Sequence, residues 1–392
     1  MKSSFLLIFV RCLMHISLSF EECRVIEGPR GIPNYMCDSI QDLDQKSIFL
    51  DVVIYKGDNV SLRNLGPLTP TFTATLVDKA SGKFNKDIVN AIEKVSSILN
   101  SNTVLTRLTV STFDNVQLEK IYLRNGHIES IEPRTFAKLK NVREIHIIYN
   151  ALQRVQSEVF SDLPIETLAL SNNKIMYIER NAFINMKNLK NLYLDGNLLT
   201  EFTPESLMFN VNQLETLHLQ NNSFTTVSRN LVKIFANLRV LNLSHNKIFN
   251  VLSYAFEDLL QLESLNLAHN LIYELRADIF PKYGFPILSK LNIAYNRLSD
   301  LPVSVLEKLQ ELEFISIGGN PWHCFCLDLI QIWMNKNNIK QVCDEEYNKG
   351  IRPICVFDET GVNTCTFSDK SLYHKYSAVN NRFPKTSNCA II

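Results

Sequence analysis

Leu238-Arg239-Val240-Leu241-Asn242-Leu243-Ser244-His245-Asn246-Lys247-Ile248 decides how this chain folds. Leu241 and Leu243 stand two apart, so a short strand turns both to one face and Asn242 to the other. His245-Asn246 then turns the chain. One strand and one turn make no core by themselves, so the segment needs neighbours of its own kind.

It has them. The pattern L-x-x-L-x-L-x-x-N-x-L starts at Leu118, Val142, Ile165, Leu189, Leu214, Leu238, Leu262, Leu288 and Leu312, at intervals of 24, 23, 24, 25, 24, 24, 26 and 24 residues. Nine registered copies describe one unit that buries its apolar faces only by stacking on the next. The asparagine recurs as Asn150, Asn173, Asn197, Asn222, Asn246, Asn270, Asn296 and Asn320, and Gly126 breaks the series in the first copy. A second apolar set carries Phe136, Phe160, Phe183 and Phe256, with Val232 and Leu306 in other copies. These predict an aromatic spine on the side away from the strands.

The repeat resembles the extracellular leucine-rich-repeat family. That resemblance implies an α/β repeat solenoid: a horseshoe with a parallel β-sheet on its concave face and disulfide-bonded terminal caps. It also implies that each repeated asparagine bonds backbone groups of its own and the preceding coil, satisfying amides that no sheet reaches. The resemblance covers roughly residues 105–365.

The ends differ from the repeats. Lys2, the apolar run Phe5 to Val10, and the small Ser17 and Ser19 predict an export signal over 1–19. The run is too short to span about 30 Å of hydrocarbon, and no later stretch approaches a membrane span, so no stable membrane insertion is expected. Residues 20–104 read as an N-terminal cap with irregular coils. Strand-like runs lie at 48–55 and 72–77, and Leu105, Leu108 and Val110 look like a further strand. Residues 105–320 hold the repeats, 321–366 a cysteine-rich cap and 367–392 a polar tail without heptads.

Of nine cysteines, Cys12 falls in the signal. Cys23 and Cys37 stand near one end; Cys324, Cys326, Cys343, Cys355, Cys365 and Cys389 stand near the other. Cysteines confined to the ends of an exported chain suit disulfides on caps. After Asn320-Pro321-Trp322-His323-Cys324-Phe325-Cys326, the spacing of Cys326, Leu329, Ile330, Trp333 and Met334 predicts an amphipathic helix. This is similar to the family's C-terminal cap, whose pairing implies Cys324–Cys343 and Cys326–Cys365. Cys355 and Cys389 are extra; they either pair together or Cys389 links two chains. His323, Cys324, Cys326 and Cys343 also have the composition of a zinc site, but export and the Trp-x-Cys-x-Cys context favour disulfides. Cys389-Ala390-Ile391-Ile392 has the shape of a prenylation box, a cytosolic modification that an exported chain would not meet.

Lysines and arginines number 40 and acidic residues 40. Such neutrality offers no basic face for nucleic acid. No nucleophile elbow, metalloprotease helix or phosphate-binding loop occurs, and neither enzyme activity nor a cofactor is expected. The expected partner is an extracellular protein or glycan.

Two columns of outward residues are the candidate binding surface. Between the strand leucines stand Tyr122, His146, Ala169, Tyr193, His218, Asn242, Asn266, Asn292 and Ser316. Just before the ladder asparagine stand Asn125, Tyr149, Asn172, Gly196, Asn221, His245, His269, Tyr295 and Gly319. Tyrosines with polar tips suit interfaces, and histidines titrating near pH 6.5 suggest pH-dependent binding. The ligand residues expected are Tyr122, His146, Tyr149, Tyr193, His218, His245, His269 and Tyr295. Sequons at Asn59, Asn221 and Asn242 are candidate glycosylation sites. A glycan on Asn242 would divide the face, leaving ligand the flank from Tyr122 to Tyr193 or that from His269 to Phe314. Innate immune recognition, adhesion or guidance, and enzyme inhibition are the three roles in view.

Overall fold

The computed structural model describes residues 106–110, 113, 120–124, 127–202, 213–342 and 355–356, with four strands nearer the N-terminus at 23–27, 33–37, 49–52 and 73–76. The signal at 1–19, the segment 367–392, Asn59, Asn125, Cys343, Cys365 and Cys389 lie outside the described residues. The chain divides into two compact units, one holding the coils up to Leu189 and the other those from Lys190.

In the first unit the strands Phe49–Val52, Thr73–Leu76, Lys120–Arg124, Glu144–Ile148 and Thr167–Ala169 run parallel. Their register places Leu50, Ala74, Ile121, Ile145 and Leu168 in one row. In the second unit Asn191–Tyr193, Thr216–His218, Val240–Asn242, Ser264–Asn266, Lys290–Asn292, Phe314–Ser316 and Lys340–Gln341 form another parallel series. Leu192, Leu217, Leu241, Leu265, Leu291 and Ile315 share a buried row. Gln341 follows Ile315 in that row, so the leucine pattern stops where the last strand is added.

The strands at 49–52 and 73–76 fall where strand-like runs were expected. The segment around Leu108 does not join this sheet. Arg107–Leu108 pairs with Ser130–Ile131, a second short row on another side of the coil. This is why the next repeat starts so soon after Leu105: the two segments belong to different sides of one coil.

Near the N-terminus Cys23–Glu27 and Pro33–Cys37 are antiparallel, and the register sets Cys23 opposite Cys37.

The asparagine ladder is built as the resemblance implied. Asn246 Nδ2 donates to Leu243 O and Ser244 O of its own coil and to Leu219 O of the preceding one, at 3.0–3.1 Å. Its Oδ1 accepts from Phe224 N–H at 3.1 Å. Asn150, Asn173, Asn222, Asn270, Asn296 and Asn320 repeat the arrangement. Each side chain is buried, so each bond replaces one that water would have made.

The aromatic spine is also present, with additions. Phe113, Phe136, Phe160 and Phe183 stack at centroid spacings of 5.3, 5.4 and 5.7 Å. In the second unit Phe202 stacks on Phe235 and Phe256 on Phe280, at 6.5 and 6.4 Å. Phe235, three residues beyond Val232, supplies the ring in that coil.

The C-terminal coil corrects two expectations. Trp322–His323 pairs in parallel with Cys355–Val356, and Cys324 is bonded to Cys355, with Cα atoms 4.9 Å apart. The pairing Cys324–Cys343 therefore does not form, nor does Cys355–Cys389. The added bridge between strands brings Cys355, not Cys343, to the helix start. Cys326 is disulfide-bonded as well, so neither cysteine offers a thiolate to zinc. The helix itself spans Cys324–Lys336, but it buries Cys324, Cys326, Leu327, Ile330 and Met334. Leu329 is exposed, because the buried stripe runs through Cys326, Leu327, Ile330 and Met334 on the side where Cys324 is tied to Cys355. Trp322 is fully buried and its Nε1 donates to Ile317 O at 2.9 Å.

The ladder predicts an order of severity. Asn246→Ala leaves Phe224 N–H unpaired and takes one donor from Leu219 O, Leu243 O and Ser244 O, each of which keeps another, and should cost about 1–3 kcal/mol of unfolding free energy. Asn246→Asp should cost more, since it sets a buried, acceptor-only carboxylate against three carbonyl oxygens. Urea unfolding of the two variants checks the order, and an aspartate variant as stable as the alanine one contradicts it.

Candidate recognition surface

The column before the ladder asparagine has an unusual backbone. Tyr149, Asn172, Asn221, His245, His269 and Tyr295 have φ between 53° and 55°, and Gly196 and Gly319 have 65° and 71°. In this left-handed conformation the N–H points along the stack. That of His245 donates to Ala268 O, that of His269 to Ala294 O and that of Tyr295 to Gly318 O, at 2.8–2.9 Å. Tyr149, Gly196 and Asn221 make the equivalent bond to the following coil. Glycine and asparagine adopt this conformation cheaply; bulky side chains cost about 1–2 kcal/mol. Four coils accept that cost with tyrosine or histidine.

In the second unit three of these residues are consecutive along the stack. The rings of His245 and His269 lie parallel, 4.1 Å apart and inclined by 11°, and His269 and Tyr295 follow at 4.3 Å and 9°. Gly319 ends the row. A Cβ there would stand 2.4 Å from the Tyr295 ring, so only glycine fits both the turn and the ring. The two histidines are exposed and Tyr295 is half-buried. In the first unit Tyr149 is 56% exposed.

The other column behaves differently. Tyr193 meets His218 edge-on at 4.9 Å, and Gln220 Nε2 lies 3.4 Å from His218 Nδ1. His146 Nε2 lies 3.4 Å from a Glu144 oxygen. Tyr122 is in register with His146, but its side chain lies outside the described ones. Asn242, Asn266, Asn292 and Ser316 were expected to be solvated, yet Asn242 is only 8% exposed and Ser316 not at all. The three asparagine oxygens accept from the N–H groups of Ser244, Ala268 and Ala294 at 3.0–3.1 Å. A side chain folded onto its own strand, with the next coil on either side, is covered even when it points away from the leucines. The sequon asparagine Asn242 is one of these, whereas Asn221 is exposed.

Burial sets the protonation of the half-covered groups. It pushes the His218 imidazole below its ordinary value, with Asp195 opposing, and does the same to His245. It raises the Tyr193 phenol, with Asp195 adding. Among the described residues no three histidine, cysteine or acidic side chains are grouped to hold a metal, and no helix there is long and apolar enough to cross a membrane.

Two leucine-rich-repeat family models match the chain: the BspA type leucine rich repeat region over 106–233, and leucine rich repeat over 212–272 and 261–321. The chain belongs to the leucine-rich-repeat proteins. It is 31% identical to lumican of Gallus gallus over 205 residues, 51% of this chain and 50% of that protein. It is 30% identical to leucine-rich repeat-containing protein 3 of Danio rerio over 166 residues, 39% of this chain and 61% of the relative. The match thus spans roughly half to three-fifths of each relative's length. Among solved structures, the mouse RP105/MD-1 complex is similar with a TM-score of 0.54 at 23% identity, covering 67% of this chain and 44% of that one. The TLR13–ssRNA13 complex gives 0.52 at 22%, covering 62% and 34%. These share the solenoid fold.

The stacked row was not read from the sequence as a row. Its signal was present: glycine and asparagine alternate in this column, marking left-handed backbone, and aromatic residues there were the exceptions to explain.

Because burial lowers the folded-state values of His218 and His245, the unfolded chain binds more protons near its ordinary histidine value of about 6.5. The stability they contribute is present above that pH and is lost as pH falls through it toward the lower folded value. The melting temperature should drop between pH 7.5 and pH 5.0, and drop less in a His218→Asn, His245→Asn variant. Equal drops in both proteins would contradict this.

Proposed function

We propose that this leucine-rich-repeat protein is a secreted, non-enzymatic recognition protein. It binds an extracellular protein or glycan, in innate immunity, through the aromatic edge at Tyr149 and at His245, His269 and Tyr295. The observation that carries the reading is the backbone cost. Four bulky residues hold a conformation that glycine or asparagine fills cheaply in neighbouring coils, and such strain is a ground for a functional hypothesis. Arg134, Glu158 and Tyr254 hold left-handed backbone elsewhere, but among the described residues only in this column do such residues form a stacked row of rings. The stacked rings of His245, His269 and Tyr295 are already ordered and lose little freedom on binding. The disulfide of the C-terminal coil supports an oxidising compartment. The neighbours named above are titled as complexes, TLR13 with ssRNA13 and RP105 with MD-1, and this chain's fold is of the kind that presents such surfaces.

The test is capture from extracellular fluid at pH 7.5 by immobilised protein. Tyr149, His245, His269 and Tyr295 are changed together to asparagine, which the backbone accepts. The quadruple variant should be secreted and folded but lose the captured partner; unchanged capture removes this edge. Induction of the transcript by infection supports the immune role, whereas expression confined to developing tissue, or inhibition of a secreted hydrolase, would assign one of the other two.

Glycosylation follows the same surface. Asn221 is the sequon we propose is occupied, and Asn242 the one that is not. Peptide mapping with and without glycosidase should place the sugar on Asn221, and a glycan on Asn242 would contradict the burial seen there.

A further inference from the structure

We propose that the edges of His245 and His269 form a proton-coupled site for a sulfate- or phosphate-bearing ligand. The proposal rests on the reading that this row is the recognition edge, and it names the ligand chemistry. His269 is sandwiched, with His245 4.1 Å from one face and Tyr295 4.3 Å from the other. Its faces are therefore closed to a nucleobase or a sugar ring, and only its rim of N–H and N atoms meets a ligand. The same holds for one face of His245. A row of rims recognises by hydrogen bonding rather than by stacking.

The residues before these rings, Ser244, Ala268 and Ala294, are neutral and small. Two positions after His245 stands Lys247 and two after Tyr295 stands Arg297, both exposed, whereas Leu271 follows His269. Other titratable groups on these coils and the one before include Tyr273, Glu274, Asp300, His218 and Asp195, and Glu263 is engaged by Arg239.

Protonation supplies the coupling. A neutral imidazole donates one N–H; an imidazolium donates two and carries charge. Two stacked imidazoles this close repel each other if both are protonated. An oxyanion accepting from both rims removes that repulsion and gains two charge-assisted bonds. Anion binding and proton uptake therefore favour each other, and by linkage the affinity rises as pH falls.

The experiment is calorimetric titration of the full chain with inorganic sulfate at pH 7.5 and pH 5.5, in buffers of differing ionisation heat. Wild type is compared with His245→Asn, His269→Asn and the double variant. Asparagine occupies this column natively at Asn172 and Asn221, and an unchanged far-ultraviolet spectrum confirms the fold. Wild type should bind at least about tenfold tighter at pH 5.5, with proton uptake, and the double variant should lose both. Affinity without pH dependence, or pH dependence retained in the double variant, overturns the proposal. A sulfated oligosaccharide and a phosphoserine peptide of equal charge then distinguish the source, the tighter of the two naming it. The outcomes separate from those above: partner capture at pH 7.5 lost in the quadruple variant, with pH-independent sulfate binding, keeps the recognition edge and discards the anion site.

Discussion

Everything in these coils depends on how one carboxamide is shared. Each ladder asparagine spends its nitrogen on carbonyls of its own turn and of the coil before, and its oxygen on a backbone N–H of the coil before. A buried turn has no sheet partner, and leaving these groups unpaired would cost more than the turn could recover. The carboxamide thus closes the turn and joins it to its neighbour in one arrangement. That is why the spacing stays near 24 residues while the strand and turn columns vary.

The ladder also dictates what stands beside it. In six coils the residue before the asparagine points its N–H at the following coil, from left-handed backbone. Side chains there are carried in register, one coil apart. When three in succession are aromatic they have nowhere to go but onto each other. The His245–His269–Tyr295 row is therefore a consequence of a backbone requirement, and Gly319 ends it because the Tyr295 ring occupies the space a Cβ would need. The strand column obeys a different rule. Its asparagines bend back to their own strand and close over, so accessible chemistry moves from the middle of the strands to the turn edge. The turn edge carries the more exposed rings, at Tyr149, His245 and His269, while His146, Tyr193 and His218 of the strand column are half-buried.

The C-terminal coil shows where local pattern and fold part company. A helix was legible over the right residues, because its apolar spacing is local. Which stripe it buries and which cysteine reaches Cys324 were not. Both follow from the bridge between Trp322–His323 and Cys355–Val356, a contact between residues more than thirty positions apart, with no spacing to announce it.

The sequence alone determined the repeat, the buried leucine row, the asparagine ladder and most of the first unit's aromatic spine, since each is a periodic pattern whose physical meaning is local. It named the residues of the turn edge individually. Only the tertiary structure decided that Asn242, Asn266 and Asn292 are covered, that Leu108 lies on another side of its coil, and that three rings pack face to face. Those outcomes depend on what the neighbouring coil places alongside, and a residue's outward direction on its own strand does not say how much water still reaches it.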